Sequence, residues 1–244
     1  MNTGLLVIAA ALWGAAAGAF LPRAAYRFCV PSGEPWREQC PGGHPVRGWF
    51  GRARCGDCAE AEARYGSSPA LLSLTTAAVC AVLAAATGTR PELGAWLLLA
   101  PIGVLLTVVD FRVRRLPDPL TLPFAGAALA LLGLTALVPE HAGEWTTALL
   151  GSLALGGGYF VLFLINPAGM GFGDVKLALG AGAVLGWYGW PTVMLGTFAG
   201  FLLGALYGGA LVVARRAGRK TAIPFGPFLI SGAFLGLLAG AYAA

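Results

Sequence analysis

Eight strongly apolar stretches, separated by polar connections, constrain the fold of this chain more than any other feature of its sequence. A helix needs about 20 mostly apolar residues to cross the hydrocarbon core of a bilayer. Hydrophobic residues make up 57% of the chain and charged residues only 11%, whereas a soluble domain carries roughly a quarter charged residues. We therefore predict an all-α polytopic membrane protein with about eight transmembrane helices. The stretches are residues 4–22, 68–87, 93–110, 119–138, 146–165, 175–188, 190–214 and 223–243.

Only one connection, residues 23–67, is long and polar enough to form a domain outside the membrane; we call it the polar loop. The predicted organisation is a first transmembrane helix (1–22), the polar loop (23–67) and a membrane-embedded domain (68–244). No basic residue precedes the first apolar stretch, which favours a retained anchor over a cleaved signal peptide. The sixth stretch is short, and a helical hairpin with the seventh is an alternative to a separate span.

The basic residues predict the orientation of the chain in the membrane. All but Arg90 of the 16 Lys and Arg residues lie in or beside alternate connections. The positive-inside rule places such connections in the cytoplasm, so both termini are predicted to lie outside. The net charge of +5 then reflects topology and anionic lipid headgroups, and no nucleic-acid partner is predicted. The basic residues are Arg23, Arg27, Arg37, Arg47, Arg52, Arg54, Arg64, Arg112, Arg114, Arg115, Lys176, Arg215, Arg216, Arg219 and Lys220.

Two aspartates lie at the edges of spans that face the same side in this topology. Asp110 ends the third span and Asp174 begins the sixth, within the glycine-rich segment GMGFGD. A carboxylate beside hydrocarbon is costly and indicates a functional site. Two such groups in one site form an aspartyl pair that can activate water and protonate a carbonyl group. The alternative is that both are ordinary interfacial residues, and Asp118 is interpreted as a loop or helix-capping residue.

The helix dipole suggests how the pair shares its proton. Asp174 begins its span, where free backbone N–H groups stabilise a carboxylate, and Asp110 ends its span, where the dipole disfavours one. Lys176 adds to this trend if its side chain points inward. The hypothesis is that Asp174 is mainly ionised and acts as the base, while Asp110 is mainly protonated and acts as the acid.

Four of the five cysteines lie in the polar loop and suggest a metal site. Cys55 and Cys58 form a C-x2-C pair, and Cys40 and His44 lie four residues apart upstream. Two thiolates with a further Cys/His pair suit tetrahedral zinc. Cys29 is the alternative to His44 as the fourth ligand, and the alternative for the whole set is unligated thiols. Because the loop is predicted to face the reducing cytoplasm, structural disulfides are not expected.

Five segments in the same order resemble the type IV prepilin peptidases, which are bifunctional leader peptidases and N-methyltransferases of the GxGD aspartic class. The resemblance runs nearly from end to end, and five motifs in order are far more specific than any one of them. The segments are GAFLPRAAYRF (18–28), RCGDC with ARYG (54–66), DFRVRRLPDPLTLP (110–123), GMGFGDVKL (169–177) and IPFGPFL (223–229).

The resemblance implies a function and a set of site residues. Asp110 and Asp174 would be catalytic, with Gly171, Gly173 and Lys176 supporting the GxGD segment. The enzyme would cut prepilin or pseudopilin leaders at the cytoplasmic face of the bacterial inner membrane. It would then methylate the new N-terminus from S-adenosylmethionine. No nucleotide-binding fingerprint is visible, so no cofactor-binding residue is assigned.

The chain departs from the family pattern in the polar loop. The family's first cysteine pair is C-x2-C, but the matching segment here reads CPGGH, so His44 or Cys29 would replace one cysteine. The main alternative function is a transporter or channel with ion-binding aspartates. Such proteins carry inverted repeats and carboxylates near the bilayer centre. No internal repeat is visible here, and both aspartates map to one face of the membrane.

Overall fold

A computed structural model of the chain describes residues 2–58, 64–167, 169–214 and 223–244. These residues form eight α-helices and no strand, which confirms the predicted all-α fold class. Arg215, Arg216, Arg219 and Lys220 lie outside the described residues. The helices are α1 (Thr3–Phe28), α2 (Pro69–Thr87), α3 (Glu92–Val113), α4 (Asp118–Thr135), α5 (Trp145–Ile165), α6 (Phe172–Gly186), α7 (Trp190–Val213) and α8 (Gly226–Ala243).

Seven of these helices are long and apolar enough to cross a membrane, so the chain is an integral membrane protein. The eighth is α6, which has only 15 residues. At 1.5 Å per residue it is about 22 Å long, shorter than the roughly 30 Å hydrocarbon core. The helix that carries Asp174 is therefore the one that differs most from an ordinary membrane span.

The first helix continues six residues beyond its predicted end, past Pro22 to Phe28. Proline inside a helix removes one backbone hydrogen bond and disturbs its neighbours. Here the polar loop adds hydrogen bonds on either side of the proline: Arg23 N–H donates to the Gly51 carbonyl at 3.1 Å, and Gly51 N–H donates to the Phe20 carbonyl at 2.7 Å. The start of the polar loop is thus helical and is joined to the loop's middle by backbone hydrogen bonds.

The chain folds as two compact units. The first contains residues 1–89 and 96–115, and the second contains residues 90–95 and 116–244. In the first unit, α1 and α2 pack closely through small residues, as the abundance of glycine predicts. A Cβ atom at Gly14 would lie 2.5 Å from the Thr76 carbonyl oxygen, and one at Gly18 would lie 2.5 Å from that of Leu72.

In the second unit, α6 is the central helix. It packs against α4, α5, α7 and α8, and its buried residues cover all sides of the helix. Glycines allow this close packing: a Cβ at Gly182 would lie 2.3 Å from the Gly151 carbonyl of α5, and one at Gly180 would lie 2.5 Å from the Phe124 ring of α4. The position of α6, and of the residues at its start, is therefore fixed by four neighbouring helices.

Candidate active site and metal cluster

Asp174 lies in the first turn of α6 and is 7% exposed. Its carboxylate oxygen Oδ2 accepts a hydrogen bond from Gly171 N–H at 3.1 Å. Its own backbone N–H donates to the Gly171 carbonyl at 3.0 Å. This reciprocal pair caps the helix, because the side chain satisfies one of the N–H groups that a helix start leaves without a partner. The site therefore combines a buried carboxylate with the positive end of a helix dipole.

One glycine of the GMGFGD segment, Gly173, is required by close approach. A Cβ there would lie 2.8 Å from the Leu116 Cβ, whereas one at Gly169 would meet only the end of the Asn166 side chain, which can rotate away. A Cβ at Gly171 would meet only the Asp174 carboxylate, at an ordinary 3.5 Å. Gly173 thus allows the segment before α4 to lie against the start of α6, while Gly171 contributes its N–H group.

The starts of α4 and α6 lie side by side, which the sequence reasoning did not anticipate. Lys176 Nζ lies 2.7 Å from the Asp118 carboxylate oxygen Oδ1. The Lys176 side chain is 17% exposed and that of Asp118 is 59% exposed. The cation also lies 4.9 Å from the centre of the Phe172 ring. Lys176 therefore has a carboxylate partner of its own, and its effect on Asp174 is smaller than that of an unpaired cation.

Asp110 lies in the last turn of α3, in the first unit, and is 4% exposed. Its backbone carbonyl accepts a hydrogen bond from Arg114 N–H at 2.8 Å. Arg114 has a φ of 51°, a left-handed conformation that ends the helix. The structure thus brings Asp118 and Lys176 together beside the start of α6, and it places Asp110 at the end of a helix in the other unit. The pairing of Asp110 with Asp174 remains a prediction.

The four predicted metal ligands of the polar loop form one cluster. The ligand atoms of Cys40, His44, Cys55 and Cys58 all lie within 4.8 Å of one another. The His44 Nδ1 atom lies 3.7 Å from the Cys40 sulfur, 3.3 Å from the Cys58 sulfur and 3.7 Å from the Cys55 sulfur. The Cys40 and Cys58 sulfurs are 3.6 Å apart. A tetrahedral zinc with Zn–S bonds of about 2.3 Å separates its sulfurs by roughly 3.8 Å, so these donors fit the ion.

Two turns bring these side chains together. In the first, Cys40 N–H donates to the His44 carbonyl at 2.9 Å, and Gly43 N–H donates to the Cys40 carbonyl at 2.9 Å. Gly43 has a φ of +82°, which glycine adopts without strain. In the second, a backbone bridge between Arg54 and Arg64 brackets the Cys55 and Cys58 pair. The CPGGH segment is therefore a tight turn that presents Cys40 and His44 on one side.

Hydrogen bonds within the cluster help to shift the pKa values of the Cys40 and Cys58 thiols in opposite directions. Burial raises the pKa of the Cys40 thiol, but hydrogen bonds from the backbone of His44 and from the side chains of Cys58 and His44 outweigh this and lower it to about 6. Burial, followed by the hydrogen bonds to Cys40 and Cys55, raises the pKa of Cys58 to about 12. At neutral pH the cluster therefore presents a Cys40 thiolate, the form that binds metals.

Cys29, the alternative fourth ligand, is not part of this cluster. It lies at the end of α1, where it is 3% exposed. Burial raises the pKa of its thiol, as expected for an unreactive structural cysteine. In the structure, His44 completes the set of four in place of Cys29.

Arginine side chains hold the rest of the polar loop, a role that the sequence reasoning missed. The Arg23 guanidinium donates to the carbonyls of Arg47 at 2.7 Å, Phe50 at 3.2 Å and Arg52 at 3.3 Å. Arg27 donates to the Gly48 carbonyl at 2.9 Å. The loop has a small buried cluster that includes Tyr26, Ala53 and Tyr65. Outside it, the arginine side chains satisfy carbonyls that no strand pairs among the described residues. The positive-inside pattern alone suggested only contacts with lipid headgroups.

Comparison with known proteins identifies relatives of the chain. Residues 97–209 match the model of the type IV leader peptidase family. A prepilin leader peptidase/N-methyltransferase of Pseudomonas aeruginosa is 31% identical over 233 residues, which cover 89% of this chain and 75% of the relative. One from Burkholderia pseudomallei strain 1026b is 32% identical over 234 residues, covering 86% of this chain and 67% of the relative.

The prepilin leader peptidase/N-methyltransferase of Aeromonas hydrophila is 36% identical over 208 residues, which cover 80% of this chain. The chain spans 66% of the length of that relative, slightly less than two thirds. No solved structure matches the chain. The residues that match the family model include both Asp110 and Asp174.

Proposed function

The chain belongs to the type IV leader peptidase family, and on that basis we propose that it is an aspartic endopeptidase that cleaves the leaders of type IV prepilins or pseudopilins. The observation that carries this proposal is Asp174, a buried carboxylate that caps the central helix α6 inside the GxGD segment. Membership in a peptidase family disfavours the alternative of a transporter with ion-binding aspartates.

Asp174 and Asp110 are proposed to act as a unit. The Asp174 carboxylate accepts a hydrogen bond from the Gly171 N–H and lies at the start of a helix. Both features stabilise its ionised form, so Asp174 takes the proton of the attacking water. Asp110, buried in the last turn of α3, supplies a proton to the carbonyl oxygen of the scissile bond. A shared proton belongs to the pair, so these roles describe populations of the two protonation states.

The proposed location of the site suits its substrate. A prepilin enters with an apolar N-terminal helix already in the bilayer, so its scissile bond and the enzyme meet at the membrane surface. The distribution of basic residues supports the proposal that this site lies at the cytoplasmic side of the bacterial inner membrane, with the N-terminus outside. Membrane lipid and the prepilin are therefore the proposed partners.

The polar loop is proposed to bind one structural zinc ion and to serve a second activity. Cys40, His44, Cys55 and Cys58 would hold the ion, and the observed separations of their ligand atoms support this. The relatives are named as N-methyltransferases as well as peptidases. The same activity is proposed here, with S-adenosylmethionine as methyl donor and the new N-terminal amine of the cleaved pilin as acceptor.

A cleavage assay tests the peptidase proposal. Purified protein in detergent is incubated with a prepilin that carries a basic leader, and the product is followed by gel shift and mass spectrometry. The wild type is expected to remove the leader, whereas Asp174→Asn and Asp110→Asn lose cleavage while remaining folded. The double variant should be little worse than either single variant, because the two residues act as a unit. Near-normal cleavage by either single variant would exclude the pair.

A further inference from the structure

Tyr159 on α5 carries a buried hydroxyl group that the proposed mechanism does not use. The residue is 2% exposed, and its hydroxyl oxygen has no hydrogen-bond partner among the described residues. A buried donor without a partner is unfavourable, and most such groups are paired. An exception of this kind at an active site indicates a partner that arrives later.

The packing of α5 against α6 places Tyr159 level with Asp174. The two helices are antiparallel, and a Cβ at Gly156 of α5 would lie 2.3 Å from the Leu179 side chain of α6. Further along the pair, the rings of Phe163 and Phe172 are 5.4 Å apart. Tyr159 lies between these two contacts, one turn beyond Gly156, so it is level with the first turns of α6. Asp174 lies in the first of these turns.

An aromatic trio fixes the Tyr159 ring. Its centre lies 5.8 Å from that of Phe201 on α7 and 5.9 Å from that of Phe225. Phe201 and Phe225 are themselves 5.2 Å apart, within the range favoured by aromatic pairs. Phe225 belongs to the IPFGPFL segment that precedes and begins α8. This segment thus has a structural role, which is to hold one side of the tyrosine ring.

We propose that the Tyr159 hydroxyl donates a hydrogen bond to the carbonyl oxygen of the scissile peptide bond when a prepilin is bound. This inference rests on the proposed peptidase function and adds a catalytic residue to it. The substrate backbone brings acceptor groups into a region where the hydroxyl has none. As water attacks, the carbonyl oxygen gains negative charge, so a donor already in position stabilises the transition state more than the ground state.

The test is Tyr159→Phe, which removes the hydroxyl and keeps the ring in the aromatic trio. We expect kcat for leader cleavage to fall about 10- to 100-fold, with KM changed by less than about twofold, because the bond strengthens in the transition state. The thermal unfolding temperature should stay the same or rise, since the variant no longer buries an unpaired hydroxyl. Tyr242→Phe is the matched control: Tyr242 is 88% exposed and its variant should cleave normally.

Three results separate the possibilities. Normal kcat in a folded Tyr159→Phe enzyme would overturn the inference while leaving the peptidase proposal intact. A shifted pH profile with an unchanged limiting kcat would also overturn it, because the hydroxyl would then act on Asp174 and not on the substrate. If the wild type removes no leader from any prepilin tested, the proposed function fails, and the role of Tyr159 in it fails as well.

Discussion

The polar loop and the start of α6 hold their functional groups by different means. In the loop, Cys40 and its three partner ligands lie on turns that are tied down by arginine side chains and backbone bridges. At the start of α6, Asp174 lies on a helix that four other helices surround. The loop buries only a small cluster of side chains, whereas most residues of α6 are buried.

This difference follows from where each region gains its stability. A polar segment buries little apolar surface to offset the entropy of ordering its backbone. Hydrogen bonds from Arg23 and Arg27 contribute to that order, and the proposed zinc ion would add to it. A helix surrounded by other helices is positioned by close packing, and a functional group at its end is held without a ligand. The two regions should therefore respond to different perturbations.

The largest expected effect is a separation of the two proposed activities. Cys55→Ser removes one ligand, so we expect loss of stoichiometric zinc by elemental analysis and loss of methylation by mass spectrometry. Cleavage should stay within about threefold of wild type, because the proposed catalytic residues are not part of the cluster. Asp174→Asn should show the reverse pattern, with zinc retained and cleavage lost.

Cys29→Ser is the control for this separation, since Cys29 lies outside the cluster. It should keep one zinc per chain. Absence of zinc from the wild type would refute the metal site, and equal loss of cleavage in Cys55→Ser would show that the two regions are not independent.

The next effect tests the packing that positions α6. In Gly151→Ala the added Cβ would lie 2.6 Å from the Gly182 carbonyl oxygen, a backbone atom that cannot rotate away. We expect a loss of about 1–3 kcal/mol in the free energy of unfolding, together with reduced cleavage as α6 shifts. Thermal unfolding in detergent measures the first and the leader assay the second.

Gly157→Ala on the same helix is the matched control, because nothing lies within 4 Å of its added Cβ. It should be neutral or stabilising by up to about 1 kcal/mol, since alanine favours the helix more than glycine does. If both variants behave alike, close packing is not what positions α6.

The sequence predicted most of the helices and the ends that carry Asp110 and Asp174, because long apolar runs in a bilayer have few alternatives. The extension of α1 through Pro22 was missed, because its stabilising partner, Gly51, is distant in sequence. Tyr159 was missed for a similar reason. In the apolar segment GGGYF it resembles any core aromatic residue, and only the packing of α5 on α6 shows that it is level with the first turns of α6.

A smaller effect tests the hydrogen bonds from Arg23 to the backbone of the polar loop. Arg23→Lys keeps the charge but loses the planar fork that donates to three carbonyls. We expect a local loss of about 1 kcal/mol, seen as faster proteolysis of the loop at unchanged cleavage activity. Arg47→Lys is the control, because the Arg47 side chain is exposed. Equal proteolysis of both variants would mean that the Arg23 fork does not order the loop.

The smallest expected effect concerns the ion pair beside the proposed active site. Lys176 and Asp118 are 2.7 Å apart, but the Asp118 side chain is 59% exposed, so solvent screens the pair and its contribution is expected to be about 0.5 kcal/mol or less. Asp118→Asn should therefore leave cleavage within a few-fold of wild type, and a double-mutant cycle with Lys176→Met should give a coupling energy that falls further in high salt. Loss of all cleavage in Asp118→Asn would show that Asp118, and not Asp110, is the second catalytic carboxylate. The comparison between the two regions would then change as well, because both catalytic groups would lie at adjacent helix starts of the second unit.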